Sequence, residues 1–405
     1  MKKLILLLLV SALVLILAAC GGSKAPVPER IQAQADPTQM LYTHDAPQNV
    51  RVMATVVYSD GSTVDVSGKV KKQAELITVG EAVVKLTCTL DGVILSGKTT
   101  VIVHESPFVW QSVPEEYQAD CAEKGTIEHV TYDSFVYTDA GERGSAGTNE
   151  AYVYLPYGYD ETEQYNILYL MHGAGENAGY WFSQGNYADG GWSPSEAENI
   201  TATILDNAIA RGLIEPLIVV TPCIYTGDVE NRAENSSGLN GVAAFRYEFR
   251  NELVPCIESR YASYALGDVS EENLIATRAH RGYAGLSMGS MTGFSSILMG
   301  CTDLVAYVGN YSGCWADIEA VEQALTETYA DYPILYWYNG EGTKDMAHDE
   351  HCEAYARIIA DCPEIFTEGV DFSRCNAIMV DKLGHAHNYA NWIVDLYNTL
   401  VCFFC

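Results

Sequence analysis

Between residues 50 and 103, apolar and polar positions alternate in short runs, the period of a strand with one covered face. The runs at 50–58, 82–90 and 98–103 are separated by turn chemistry at Ser59-Asp60-Gly61-Ser62 and Asp91-Gly92. This predicts a small antiparallel β unit. Past residue 106 the pattern changes. Apolar runs at 151–156, 166–171, 216–221, 282–284, 305–309 and 333–338 read as strands. Stretches at 197–211, 243–260, 288–299, 317–328, 350–361 and 388–400 carry the period of amphipathic helices. Apolar strands interleaved with such helices predict an α/β domain, with a mostly parallel sheet covered on both faces. The chain holds no evident internal repeat.

The first residues follow a different logic. Lys2 and Lys3 precede an apolar run over residues 4–17, then Ala18, Ala19 and Cys20. That order is the basic region, apolar region and small-residue cleavage site of an export signal. The run is short for a membrane span, which needs about 20 residues. Leu17-Ala18-Ala19-Cys20 resembles the lipobox of bacterial lipoproteins. The resemblance implies lipidation at Cys20 and an extracytoplasmic, cell-surface lipoprotein that meets the bacterial membrane through its lipid anchor only. Residues 21–37, rich in Gly, Pro, Ala and Gln, read as a linker. Four segments are therefore expected: a signal at 1–20, a linker at 21–37, a β domain at 38–105 and an α/β domain at 106–405.

Composition narrows the partners. Against 53 acidic residues stand 23 Lys and Arg, a formal charge of −30, which repels phosphate backbones and argues against nucleic acid. An apolar fraction of 48% is enough to build large cores. Beyond Cys20 the cysteines at 88, 121, 223, 256, 301, 314, 352, 362, 375, 402 and 405 are odd in number, so at least one is unpaired within a monomer. Export permits disulfides, but spacing does not give their pairing.

The chemistry concentrates in a few places. Gly285-Leu286-Ser287-Met288-Gly289 follows an apolar strand and opens a helical stretch. There a serine on a tight turn lifts its Oγ above the sheet, and glycines on either side let backbone approach closely. Earlier, an apolar strand ends in Met171-His172-Gly173-Ala174-Gly175-Glu176, the kind of strand end at which α/β hydrolases in general supply a second oxyanion donor. The backbone N–H groups of Ala174 and Met288 are the candidates. His172 reads as a loop-positioning residue.

Together with residues 205–222 and 249–258, these stretches resemble the esterase D-like α/β hydrolases. They come nearest the feruloyl and acetylxylan esterases of carbohydrate esterase family one. Residues 38–105 resemble a bacterial immunoglobulin-like domain, through 57–67 in particular, and that unit reads as a spacer. The resemblance implies an α/β-hydrolase fold behind an N-terminal β-sandwich. It also implies a serine esterase acting on feruloyl or acetyl esters of plant cell-wall polysaccharide, with no cofactor and no metal. Ser290 stands where the family has a further glycine. A triad in the chain order serine, acid, histidine takes Ser287, Asp345 in Gly342-Thr343-Lys344-Asp345, and His387. Glu341 is the fallback acid. His387 is preferred to His385 because an aromatic at +2 and a tryptophan at +5, Tyr389 and Trp392, follow it as in the family. Trp181 and Trp192, with Tyr180 and Tyr187, are candidates for an aromatic wall contacting substrate. Competing readings are a serine hydrolase of other acyl esters and a non-catalytic glycan-binding surface lipoprotein.

Overall fold

The computed structural model describes residues 25–35, 40–42, 50–74, 79–104, 110–138, 140–184, 199–225, 240–371 and 373–404. The chain gathers into two compact units. The first contains β1 (Pro28–Ala35), β3 (Val52–Tyr58) and β4 (Thr63–Asp65) in an antiparallel sheet ordered β1-β3-β4. A second sheet runs β2-β7-β6-β5, made of β2 (Met40–Tyr42), β5 (Lys71–Ala74), β6 (Gly80–Leu90) and β7 (Val93–His104). The alternation works as expected: Val52, Ala54 and Val56 are buried on β3, and Ala82, Val84, Leu86 and Cys88 on β6.

The expected linker needs correcting. Residues 28–35 form β1, with Ile31 opposite Val56 and Ala33 opposite Ala54. Ile31, Ala33 and Ala35 make a half-covered face, while Arg30, Gln32 and Gln34 are exposed. Small alanines carry that period weakly, and the ladder with β3 supplies what the side chains do not.

The larger unit is built on eight strands ordered β15-β14-β13-β12-β10-β11-β9-β8. They are β8 (Thr126–Tyr137), β9 (Arg143–Leu155), β10 (Asn166–Met171), β11 (Leu217–Pro222), β12 (Arg281–Leu286), β13 (Tyr307–Tyr311), β14 (Tyr336–Gly342) and β15 (Ala377–Lys382). From β11 to β15 all neighbours are parallel, and β8 and β9 add an antiparallel edge. This mixed sheet is that of an α/β hydrolase. Each central strand is apolar on both faces because both are covered. Ile167, Tyr169 and Met171 face a core shared with the helical residues Phe245, Phe294, Val321 and Tyr355, and Leu168 and Leu170 face one shared with Ile204, Trp392 and Leu400. Fully burying such a side chain contributes roughly 1.5–3 kcal/mol.

The sequence reading missed β8 and β15. β15 is an apolar run of four that ends in Asp381 and Lys382, yet every residue in it is buried. Lys382 is paired in the interior with Asp395, its Nζ lying 2.5 Å from Oδ1. β13 and β14 run past their apolar stretches into Asn310 and Asn339, whose buried amides are bonded to the Ser290 carbonyl and the Trp337 indole N–H and to His351.

Candidate active site

β12 delivers the chain to Ser287 at φ 50° and ψ −115°. This is a conformation that L-residues avoid, and it costs about 1–3 kcal/mol. Neighbouring backbone holds it there: the Ser287 N–H donates to the Tyr311 carbonyl at 2.8 Å, and the Met291 N–H donates to the Ser287 carbonyl at 3.0 Å. The flanking glycines are steric necessities. A Cβ on Gly285 would lie 2.6 Å from the Gly289 carbonyl carbon, and one on Gly289 would lie 2.7 Å from the His172 carbonyl oxygen. The helix Met288–Thr292 starts at once and continues through a π turn over Gly293–Leu298. Ser290 fits this packing because its hydroxyl donates to the Gly313 carbonyl at 2.5 Å.

Three side chains from separate loops converge in a line. His387 Nε2 lies 3.0 Å from Ser287 Oγ, and His387 Nδ1 lies 2.8 Å from Asp345 Oδ1. Burial opposes the charge on Asp345, but the hydrogen bonds from His387 and from the Ala347 N–H at 2.9 Å outweigh it. They hold the carboxyl below its ordinary value. An ionised Asp345 accepts only, so Nδ1 carries the imidazole proton and Nε2 is left to accept from the serine hydroxyl. His385 is placed elsewhere, its ring edge-on to Trp110 at 5.2 Å. Glu341 points into the opposite core: its Oε1 lies 2.7 Å from His351 Nδ1, and His351 Nε2 lies 3.0 Å from Asn339 Oδ1. Burial pushes the His351 imidazole down to about 3 and raises the Glu341 carboxyl well above its ordinary value. His348 is engaged with Asp381 and Asp349.

The loop after β10 crosses the nucleophile turn closely enough that a Cβ on Gly173 would lie 3.3 Å from Ser287 Cβ. Two of its N–H groups are committed. Gly173 donates to Glu176 Oε2 and Gly175 to the Tyr225 hydroxyl, each at 2.7 Å. Among the described residues, neither the Ala174 nor the Met288 N–H has a hydrogen-bond partner. His172 is buried, with Nδ1 2.7 Å from the Gly173 carbonyl oxygen while Nε2 accepts from the Ile224 N–H at 3.2 Å. It is tied up in holding the loop.

Comparison with known proteins agrees with this geometry. Residues 147–328 match the esterase family described as "Putative esterase". A serine-to-alanine mutant of the feruloyl esterase module from Clostridium thermocellum, solved in complex with sinapinate, is similar at 30% identity and a TM-score of 0.60. The match covers 74% of this chain and 95% of that one. This chain belongs to that esterase family. Endo-1,4-beta-xylanase Y of Acetivibrio thermocellus is 37% identical over 210 residues, which is 52% of this chain and 16% of that protein. An endo-1,4-beta-xylanase/feruloyl esterase of Xylanibacter ruminicola is 32% identical over 172 residues, 41% of this chain and 19% of that protein. The esterase thus spans less than a fifth of the length of these curated relatives.

One expectation about the esterase site is overturned. Tyr180 and Trp181 are wholly buried, and the Trp181 indole N–H donates to the Met171 carbonyl at 3.0 Å. Trp181 therefore braces the end of β10 from within the core instead of forming an exposed wall, because its 3₁₀ turn, Tyr180–Phe182, is buried along its whole length. Trp192, Tyr187 and Cys20 lie outside the described residues. An aromatic that the sequence reading missed is exposed instead: Trp315, at 56%, follows β13 in a loop tied to the nucleophile helix by Ser290 and by Ser295, whose Oγ donates to the Trp315 carbonyl at 3.0 Å. Only the strand order reveals it, since β13 lies next to β12 and the C-terminal ends of parallel strands border the site.

Proposed function

We propose that this esterase hydrolyses carboxylic esters through an acyl-enzyme, with Ser287 as nucleophile, His387 as general base and acid, and Asp345 as the group that orients His387. The observation that carries the reading is the unbroken hydrogen-bonded line from Ser287 Oγ through His387 to Asp345. Ser287 attacks the ester carbonyl as His387 Nε2 takes its proton. The N–H groups of Ala174 and Met288 receive the oxyanion, and a donor of this kind is worth roughly 3–4 kcal/mol in the transition state. His387 then protonates the departing alcohol, and water repeats the sequence to release the acid.

The substrate class that fits best is a feruloyl or acetyl ester on plant cell-wall polysaccharide. Its support is the likeness to a feruloyl esterase module and to xylanase-containing proteins, together with exposed Trp315 as a face on which a phenolic acyl group can stack. We read the first unit as an immunoglobulin-like spacer, and Cys20 as the lipid attachment point of an extracytoplasmic, cell-surface protein. The test is a spectrophotometric screen of a form lacking residues 1–20 against methyl ferulate, acetylated xylan and short p-nitrophenyl esters, with labelling by a fluorophosphonate. Turnover with labelling at Ser287 is expected. A folded protein that neither labels nor turns over any of these esters is a glycan binder on a hydrolase fold, and the proposal fails.

A further inference from the structure

The reaction as described leaves one buried carboxyl in the oxyanion loop unused. Glu176 is 6% exposed, and its Oε2 accepts the Gly173 N–H at 2.7 Å. Carboxyl, peptide and nucleophile are in direct apposition: a Cβ on Gly173 would meet Leu286 Cδ1 at 2.7 Å, Glu176 Oε2 at 3.2 Å and Ser287 Cβ at 3.3 Å. On the other side of the turn, the Gly175 N–H is taken by the Tyr225 hydroxyl. A loop of three successive N–H groups over a reactive serine has three possible donors, and only one of them belongs at the oxyanion. Two side chains remove two of the three.

We propose that Glu176 is a positioning residue: by accepting the Gly173 N–H it fixes the register of the turn, so that the remaining donor, the Ala174 N–H, is reserved for the oxyanion. This rests on the functional reading above. Tyr225 performs the matching role at Gly175. A carboxylate this close to a developing oxyanion would repel it. Burial prevents that by pushing the Glu176 carboxyl up to about 8, so that at neutral pH it is an uncharged acceptor.

The test compares Glu176→Gln, Glu176→Ala, Glu176→Met and Tyr225→Phe with the parent and with Ser287→Ala. Each is assayed on p-nitrophenyl acetate at neutral pH and melted to check folding. Gln keeps an oxygen for the Gly173 N–H, so kcat should stay within about 3-fold of the parent. Ala should lower kcat by about 30-fold or more with KM within about 3-fold, a loss confined to the transition state. Met fills the same space without an acceptor and should behave as Ala does, which keeps the test intact if the Ala variant fails to fold. Tyr225→Phe should lower kcat in the same way but by less. A folded Ala or Met variant with parental kcat, a loss appearing only in KM, or a Gln variant as impaired as Ala would each overturn the proposal. If the parent and Ser287→Ala are alike inactive, the functional reading itself is what fails.

Discussion

His387 and Trp392 meet edge to face, their ring centroids 5.0 Å apart and their planes at 89°. The contact fixes the imidazole by packing on one side while Asp345 fixes it by hydrogen bonding at Nδ1. Trp392 is itself almost wholly buried in the final helix, Tyr389–Cys402. An imidazole so held reaches Ser287 without reorganising.

The two histidines should therefore separate cleanly. His387→Ala should lower kcat on p-nitrophenyl acetate by about a million-fold, the scale seen when a triad base is lost. His385→Ala, which removes only a ring packed on Trp110, should stay within about 10-fold. The decisive result against this assignment is the reverse order in two variants with parental melting curves.

Ser287 carries a cost that its replacement should return. Ser287→Ala should abolish phosphonate labelling and cut turnover by about a million-fold. Ser287→Gly should be equally inactive yet melt at a higher temperature than the parent, because glycine takes a φ of 50° without the Cβ strain. The expected gain is about 1 kcal/mol, since relief of roughly 1–3 kcal/mol of strain is offset by the greater unfolded freedom of glycine, which costs about 0.5–1 kcal/mol. A Gly variant less stable than the Ala variant would show that the turn is not strained.

Stability should fall as pH rises toward neutrality. Glu248 is fully buried, accepting from Asn149 Nδ2 at 2.7 Å and Tyr132 Oη at 2.8 Å, and burial raises its carboxyl to about 7. In the unfolded chain a glutamate releases its proton near 4.3, so between about 4.3 and 7 the folded protein holds the proton longer. The stability this gives is complete below the lower value and is lost as pH rises through the upper one. The order of magnitude is about 3 kcal/mol. Glu248→Gln, which cannot ionise, should flatten that part of the melting-temperature profile between about pH 4 and 7. An unchanged slope would assign the dependence to other groups.

Much of the site was readable because its residues are forced by contact. Gly285 and Gly289 touch backbone that no side chain could approach, so a serine between two such glycines after a strand marked the turn. Tyr389 and Trp392 identified His387 because each is anchored, Tyr389 by accepting the Ile200 N–H at 2.9 Å and Trp392 by the ring of His387. What could not be read was direction. Trp181 sits a few residues past the oxyanion loop, and nothing local says that its turn faces inward. Trp315 gains its place from the pairing of β12 with β13, a relation between distant residues. β1 escaped notice because alanine and glutamine hide a strand period that only a partner strand makes plain.

Cys20→Ser should leave turnover unchanged and abolish metabolic incorporation of labelled fatty acid. Persistent labelling would place the anchor on another residue.

The close approach of Gly289 to the carbonyls of Met171 and His172 has a consequence for how activity arises during folding. The nucleophile turn leans on the end of β10, far away in sequence, and so it cannot reach its working shape until β10 and β12 have paired. Such long-range parallel pairing is slow, because chain-closure entropy is lost before contacts repay it. On dilution from denaturant, helical signal should recover first and esterase turnover last, so that the appearance of activity times the closing of the sheet's centre.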